Sequence, residues 1–239
     1  MAGAQCCDNP PVLDSSSGHG CVVENLAGLK AYTAGSPDAK RAVLLISDVF
    51  GFEAPNLRKL ADKVASAGFF VVVPDFFYGD PFAPEKQIPV MTWLQSHGTD
   101  KGFENAKKVI EDLNSKGISA IGAAGFCWGA KVAAELAKTD YVRAAVMLHP
   151  SLVTVDDIKE IKCHLSILGA EIDHISPPEV VKQFEEILSA KSEVDSFVKI
   201  FPKVAHGWTV RYDVNDEGAV KIAEEAHQDM LAWFIKYVN

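Results

Sequence analysis

Five short apolar runs recur along this chain, at residues 42–46, 69–73, 118–124, 142–148 and 161–168. A continuous run of this length, with little polar alternation, marks a strand buried on both faces. Helix-forming stretches lie between them. One carries Leu57, Leu60, Ala61 and Val64 at helical spacing, and another Phe103, Ala106, Ile110 and Leu113. Strands covered on both faces need helices above and below the sheet. The alternation therefore specifies an α/β fold, with a mainly parallel central sheet and helices on both faces. With 239 residues, 48% of them hydrophobic, the chain can bury such a core without staples. No linker and no repeat interrupts it, so residues 1–239 are read as a single domain.

Residues 1–20 are read as an N-terminal arm, broken by Asn9-Pro10-Pro11 and Ser15-Ser16-Ser17-Gly18. Residues 21–24 and 29–33 suggest a hairpin around Gly28. Helices are expected over 55–67, 101–116, 130–138, 178–190 and 219–238, and a further strand over 196–201. Pro55 opens the first helix and Gly68 closes it. Residues 76–100 hold many prolines and aromatics and are expected to be irregular. A long insertion after a strand end is where a binding wall would sit, though packing accounts for each aromatic singly.

Charge narrows the function. The net charge is −9, with Asp and Glu spread along the chain. No basic face is available for nucleic acid, and anionic membranes would repel the surface. The first twenty residues lack a positive segment followed by an apolar run, so neither a secretory signal nor a membrane span is expected. The five cysteines are odd in number and irregular in spacing, with no pair of C-x-x-C units, which disfavours a structural zinc site. A cytoplasmic setting suits free thiols. Cys6-Cys7 fits a lipidation or metal site, or more simply an exposed tail or packed arm.

Gly125-Phe126-Cys127-Trp128-Gly129 joins a strand to a helix with a cysteine at the apex. This G-x-C-x-G is the thiol form of the nucleophile elbow. Strand and helix pass close together there, so the positions two before and two after the apex have no room for a Cβ. The helix start directs free N–H groups and a positive dipole end at the sulfur. The other reading of Cys127 is a small buried hydrophobe. Nucleotide loops fail on spacing, since Gly122, Gly125 and Gly129 do not make G-x-G-x-x-G and Ala130 stands where a Walker loop needs Lys.

A free thiol, with a pKa of about 8.5, is mostly protonated at neutral pH. A catalytic cysteine therefore wants a histidine, and the histidine a carboxylate to fix its tautomer. His206 follows the last strand. Glu171 and Asp173 follow the strand before it. Nucleophile, acid and histidine in that order fit Cys127, Asp173 and His206. His149 ends a strand and is a candidate for lining the site. His19, His97, His164 and His227 are read as surface or packing residues.

Asp48-Val49-Phe50-Gly51, Val73-Pro74-Asp75-Phe76-Phe77, the cysteine elbow, Gly169-Ala170-Glu171-Ile172-Asp173 and Ala205-His206-Gly207 together resemble the dienelactone hydrolase family, especially its plant members. The resemblance runs from about residue 40 to the C-terminus. It implies an α/β-hydrolase fold with a Cys-His-Asp triad and an oxyanion hole built from the Trp128 and Val49 N–H groups. The family usually has a glutamate just before the loop donor, which interacts with the resting thiol; here Asp48 is one methylene shorter. Bacterial members hold a substrate carboxylate with two arginines. Arg211 lies near one such position, one residue out of step, and the other has no counterpart. Phe50, Tyr78, His149 and Trp208 are candidate pocket residues beside Asp48 and Arg211. No metal or organic cofactor is implied. The leading expectation is a cysteine-dependent hydrolase of a small lactone or activated ester, with no nucleic-acid or membrane partner. Monomer and homodimer both fit. Two other classes stay open. Some plant relatives carry an endo-1,3;1,4-beta-D-glucanase label, and some hydrolase folds serve only to bind small molecules.

Overall fold

The apolar runs form the middle of one eight-stranded sheet. The computed structural model describes residues 4–14 and 16–239; residues 1–3 of the expected arm, and Ser15 among its breakers, lie outside the described residues. The strands are β1 (Cys21–Leu26), β2 (Leu29–Ala34), β3 (Arg41–Ile46), β4 (Phe70–Pro74), β5 (Ala120–Phe126), β6 (Ala144–Leu148), β7 (His164–Ile172) and β8 (Ser196–Ala205). Their spatial order is β1-β2-β4-β3-β5-β6-β7-β8. The hairpin β1–β2 and the pair β2–β4 are antiparallel; every other pair is parallel. All strands from β3 onward therefore end on the same edge of the sheet, and that edge gathers the loops that follow them.

The helices are α1 (Pro55–Ala65), α2 (Val90–Ser96), α3 (Thr99–Ser115), α4 (Trp128–Ala137), α5 (Val155–Lys159), α6 (Pro178–Ser189) and α7 (Glu217–Tyr237). The period-two alternation of each strand sorts its side chains between two cores. Val43, Leu45, Val71, Val73 and Val146 pack with Leu57 and Leu60 of α1 and Met230 and Phe234 of α7. Leu44, Ile46, Val72, Met147 and Ile167 pack with Ile110 of α3, Val132 of α4 and Phe184 of α6. Among the described residues, no helix is long and apolar enough to cross a membrane.

Three local expectations need correction. Residues 76–100 are not wholly irregular: a 3-10 turn spans Pro84–Lys86 and α2 follows Pro89. Only Trp93 of α2 is buried, so the sequence shows no apolar stripe there. Helix α5 was not anticipated. It is a single capped turn in which Asp157 N–H donates to the Thr154 hydroxyl and the Asp157 carboxylate accepts from Thr154 N–H. Strand β8 continues past Pro202 because it is an edge strand, where a missing N–H is tolerated. Of the two readings of the arm, its start is packed: Ala4–Cys7 forms a 3-10 turn that buries Cys6 to 1% exposure, while Val12 and Leu13 further along are exposed.

Candidate active site

Cys127 stands alone between the end of β5 and the start of α4, with φ +52° and ψ −109°. L-residues rarely adopt such a backbone, and it is held here by its surroundings. Cys127 N–H donates to Leu148 O at 3.1 Å, and Cys127 O accepts from Ser151 N–H at 3.1 Å. The flanking glycines are forced. A Cβ on Gly125 would lie 2.1 Å from Gly129 O, and one on Gly129 would lie 2.1 Å from Ile46 O. The elbow is thus wedged against the end of β3, which is how a strand–turn–helix reaches the loop carrying Asp48 and Val49.

Asp173 follows β7 directly and His206 follows β8. The His206 Nδ1 to Asp173 Oδ2 distance is 2.8 Å, and both side chains are sealed from solvent. Asp173 Oδ1 accepts from the N–H groups of Ile175 and Ser176, which fixes the carboxylate. Burial pushes the His206 pKa down, but the bond to Asp173 and the neighbouring Cys6 thiol outweigh it and leave the imidazole above its ordinary value. Glu171, the other acid considered, points outward and accepts from Lys203 N–H at 2.6 Å.

One residue of the site was not anticipated. Cys6 reaches in from the arm, and its Sγ lies 3.6 Å from Cys127 Sγ and 3.7 Å from Ser151 Oγ. Ligand atoms of Cys6, Cys127 and His206 lie within 4.8 Å of one another. Burial, followed by the neighbouring Cys6, pushes the Cys127 thiol well up. The hydrogen bond with Cys127 lowers Cys6 against its own burial, with His206 adding to the effect. The vicinal Cys6-Cys7 was the only sequence signal, and nothing local says where an arm docks.

The remaining expected residues divide. Trp128 is the first residue of α4, so its N–H has no partner within the helix. Its indole donates to His97 O at 3.0 Å and packs edge-on to Phe77. Val49 is buried, and its carbonyl accepts from Phe82 N–H. Asp48 Oδ1 accepts from Phe50 N–H at 3.0 Å, and Oδ2 stands 3.3 Å from Arg211 Nε. Burial pushes Asp48 up, and Arg211 pulls it back. Asp48 is thus paired with Arg211, with no hydrogen bond to the thiol among the described residues. Arg211 also donates to the carbonyls of Cys6 and Asp8. Its guanidinium holds the arm and Asp48.

Phe50 lies beneath Arg211, with the guanidinium 5.5 Å from its ring centre. His149 is fully buried and bonded through Nε2 to Thr209 Oγ1 at 2.8 Å. Its ring meets His206 at 5.0 Å and Trp208 at 5.4 Å. Burial, then the charge of His206, holds His149 well below its ordinary pKa, so it is a neutral wall. Tyr78 is the exception to this convergence. It is 55% exposed, and its hydroxyl bonds Asn105 on α3. A cleft of about 630 Å³ passes beside His206, Trp208, Arg211 and Tyr212, but Cys127 does not line it. The thiol is sealed, and Cys6 is among the groups closing over it.

Comparison with known proteins gives a consistent family. The model of the dienelactone hydrolase family matches residues 29–238. A Zea mays protein named endo-1,3;1,4-beta-D-glucanase is 44% identical over 201 residues, covering 81% of this chain and 64% of that protein. A Xenopus tropicalis carboxymethylenebutenolidase homolog is 35% identical over 218 residues, covering 88% of each chain. The crystal structure of a dienelactone hydrolase from Anabaena variabilis superposes with a TM-score of 0.67 at 14% identity, covering 95% of this chain and 100% of that one. At that identity the superposition speaks for the α/β-hydrolase fold, while the family model and the relatives speak for descent. On these grounds the chain belongs to the dienelactone hydrolase family.

Proposed function

We propose that the chain hydrolyses a lactone or activated ester through Cys127, with His206 as base and Asp173 orienting it. The observation that supports this most is the Asp173–His206 pair. Its 2.8 Å bond occupies Nδ1 and leaves Nε2 with no hydrogen-bond partner, within 4.8 Å of the Cys127 sulfur. On substrate binding the Cys6 turn moves aside. The Cys127 proton passes to His206 Nε2 as sulfur attacks the carbonyl carbon, and the N–H groups of Trp128 and Val49 hold the oxyanion. Each such donor is worth about 3 kcal/mol. The intermediate collapses to a thioester, and the leaving oxygen takes the proton from His206. Water then gives a proton to His206 and its oxygen to the acyl carbon, which releases the acid and restores the thiol. A strained lactone suits this chemistry, since its leaving oxygen needs little help.

Glycoside hydrolysis generally needs two carboxyl groups flanking the bond. Here Asp173 is bonded to His206, and Asp48 is paired with Arg211. The test is turnover of p-nitrophenyl acetate and a panel of simple lactones by wild type and Cys127→Ala. Wild-type turnover lost in the variant is expected. Equal turnover by the variant would sink the proposal. Release of reducing ends from mixed-linkage glucan, insensitive to iodoacetamide, would put the glucanase reading in its place.

A further inference from the structure

Cys6, Cys127 and His206 come from three separate elements: the arm, the elbow and the loop after β8. They meet with two thiol sulfurs 3.6 Å apart and all three ligand atoms within 4.8 Å. A tetrahedral zinc ion, with bonds of about 2.3 Å to sulfur and about 2.0 Å to nitrogen, has edges of about 3.8 Å between sulfurs and about 3.5 Å between sulfur and nitrogen. The observed sulfur–sulfur edge is already close to that value.

A second observation points to a ligand independently. His206 is buried, and its Nε2 has no hydrogen-bond partner. The other ring nitrogen, Nδ1, is held by Asp173 at 2.8 Å. A carboxylate bonded to the far nitrogen of a histidine is the usual support behind a zinc-binding imidazole, because it fixes the tautomer and the ring orientation. The arm that brings Cys6 is itself anchored. Gln5 Nε2 donates to Ile172 O, Gln5 Oε1 accepts from His174 N–H, and Arg211 donates to the carbonyls of Cys6 and Asp8. Ser151 Oγ stands 3.7 Å from Cys6 Sγ on the remaining side.

We propose that Cys6, Cys127 and His206 form a zinc-binding site, with two thiolates and one neutral imidazole as ligands and the fourth position left to water. Both sulfurs bind as thiolates, so the ion and two thiolates sum to zero charge, which a buried pocket tolerates. The bound ion occupies both the sulfur and the nitrogen that hydrolysis uses, so filling the site stops turnover. That consequence rests on the hydrolase reading above; the binding of the ion does not.

The experiment uses the whole 239-residue chain, metal-free, under a non-thiol reductant. Cobalt(II) is titrated first, then zinc in competition. Tetrahedral cobalt bound to thiolates gives sulfur-to-metal charge-transfer absorption that surface carboxylates do not. One equivalent with that absorption, displaced by zinc, is expected. Cys6→Ser and Cys127→Ser should each weaken zinc binding at least tenfold and reduce the charge-transfer band. Asp173→Asn should weaken binding about 10–100-fold while keeping the band. Circular dichroism of each variant checks its fold, and Cys6→Ala replaces Cys6→Ser if the latter does not fold. Absence of the band in wild type would overturn the proposal, as would unchanged affinity in both Cys6 variants. Zinc inhibition of ester turnover that is equal in wild type and Cys6→Ser would also overturn it, by reducing the site to the Cys127–His206 pair. A wild type that binds cobalt as described yet turns over ester unaffected by zinc would support the site and sink the catalytic role of Cys127 instead.

Discussion

At the scale of single residues, the elbow is the most constrained place in the molecule. Gly129→Ala sets a Cβ 2.1 Å from Ile46 O, and backbone on both sides leaves nothing to yield. We expect a loss of about 3 kcal/mol or more, with urea unfolding as the measurement; a loss under about 1 kcal/mol would show that the elbow relaxes. His206 makes a pH-dependent contribution. Its folded pKa is raised, the bond to Asp173 and the neighbouring Cys6 thiol outweighing burial. A raised histidine contributes stability that is full below its unfolded value of about 6.5 and is lost as pH rises through the folded value. Asp173→Asn removes the main cause of that rise. The stability difference between wild type and Asp173→Asn should therefore be larger at about pH 6 than at about pH 9. A difference that grows toward alkaline pH would contradict the assignment. G-x-C-x-G and His206-Gly207 were legible because each needs its residue type at a fixed local spacing. Cys6 was not, because its partner Cys127 is 121 positions away.

At the scale of elements, α5 shows how a short helix survives without an apolar stripe. Asp157 caps its first turn and ties it to α4 through Lys131 at 2.6 Å and Lys138 at 2.7 Å. Burial alone would raise the Asp157 pKa, yet the lysines and Thr154 outweigh it and hold the carboxyl well below the usual range. A depressed carboxylate contributes stability that is present above its unfolded value of about 3.9 and is lost as pH falls through the folded value. Asp157→Asn should cost about 2 kcal/mol near neutrality, and the difference should shrink in acid below about pH 4. Chemical denaturation at the two pH values reads both. The packing of α7 on β5 gives another test. A Cβ on Gly122 would meet the Phe234 ring at 2.7 Å. Gly122→Ala should cost about 1–3 kcal/mol, and Phe234→Leu should recover part of that loss in the double variant. Strict additivity would show that the two do not share the space. The short elements α2 and α5 escaped sequence reading because capping and a single buried Trp93 hold them, and neither makes a periodic pattern.

At the scale of the whole molecule, the parallel sheet brings the ends of β3, β5, β7 and β8 to one edge, and the arm closes over them. Arg211 is the fastening, since it reaches Asp48, Cys6 O and Asp8 O together. Arg211→Gln should loosen the arm and expose Cys127. If the closed state loses about 1.4 kcal/mol, alkylation of Cys127 by iodoacetamide speeds up about tenfold. Peptide mass mapping at Cys127 measures this, and an unchanged rate would show that the arm is held by other contacts. The same closure accounts for a site whose thiol is fully buried while an open cleft runs past its histidine.

The alternation of apolar runs with amphipathic stretches was enough to determine the α/β class, the parallel sheet and the elbow, because strand burial and close strand–helix passage impose local requirements on residue type. The same local logic proposed Asp173 and His206 from their positions after successive strands. Tertiary structure decided the rest. It turned Glu171 to Lys203 N–H while Asp173 meets His206 Nδ1, turned Arg211 toward Asp48 and the arm, and set Cys6 against Cys127. Those outcomes depend on contacts between residues distant in the chain, and such contacts leave no periodicity or spacing in the sequence to read.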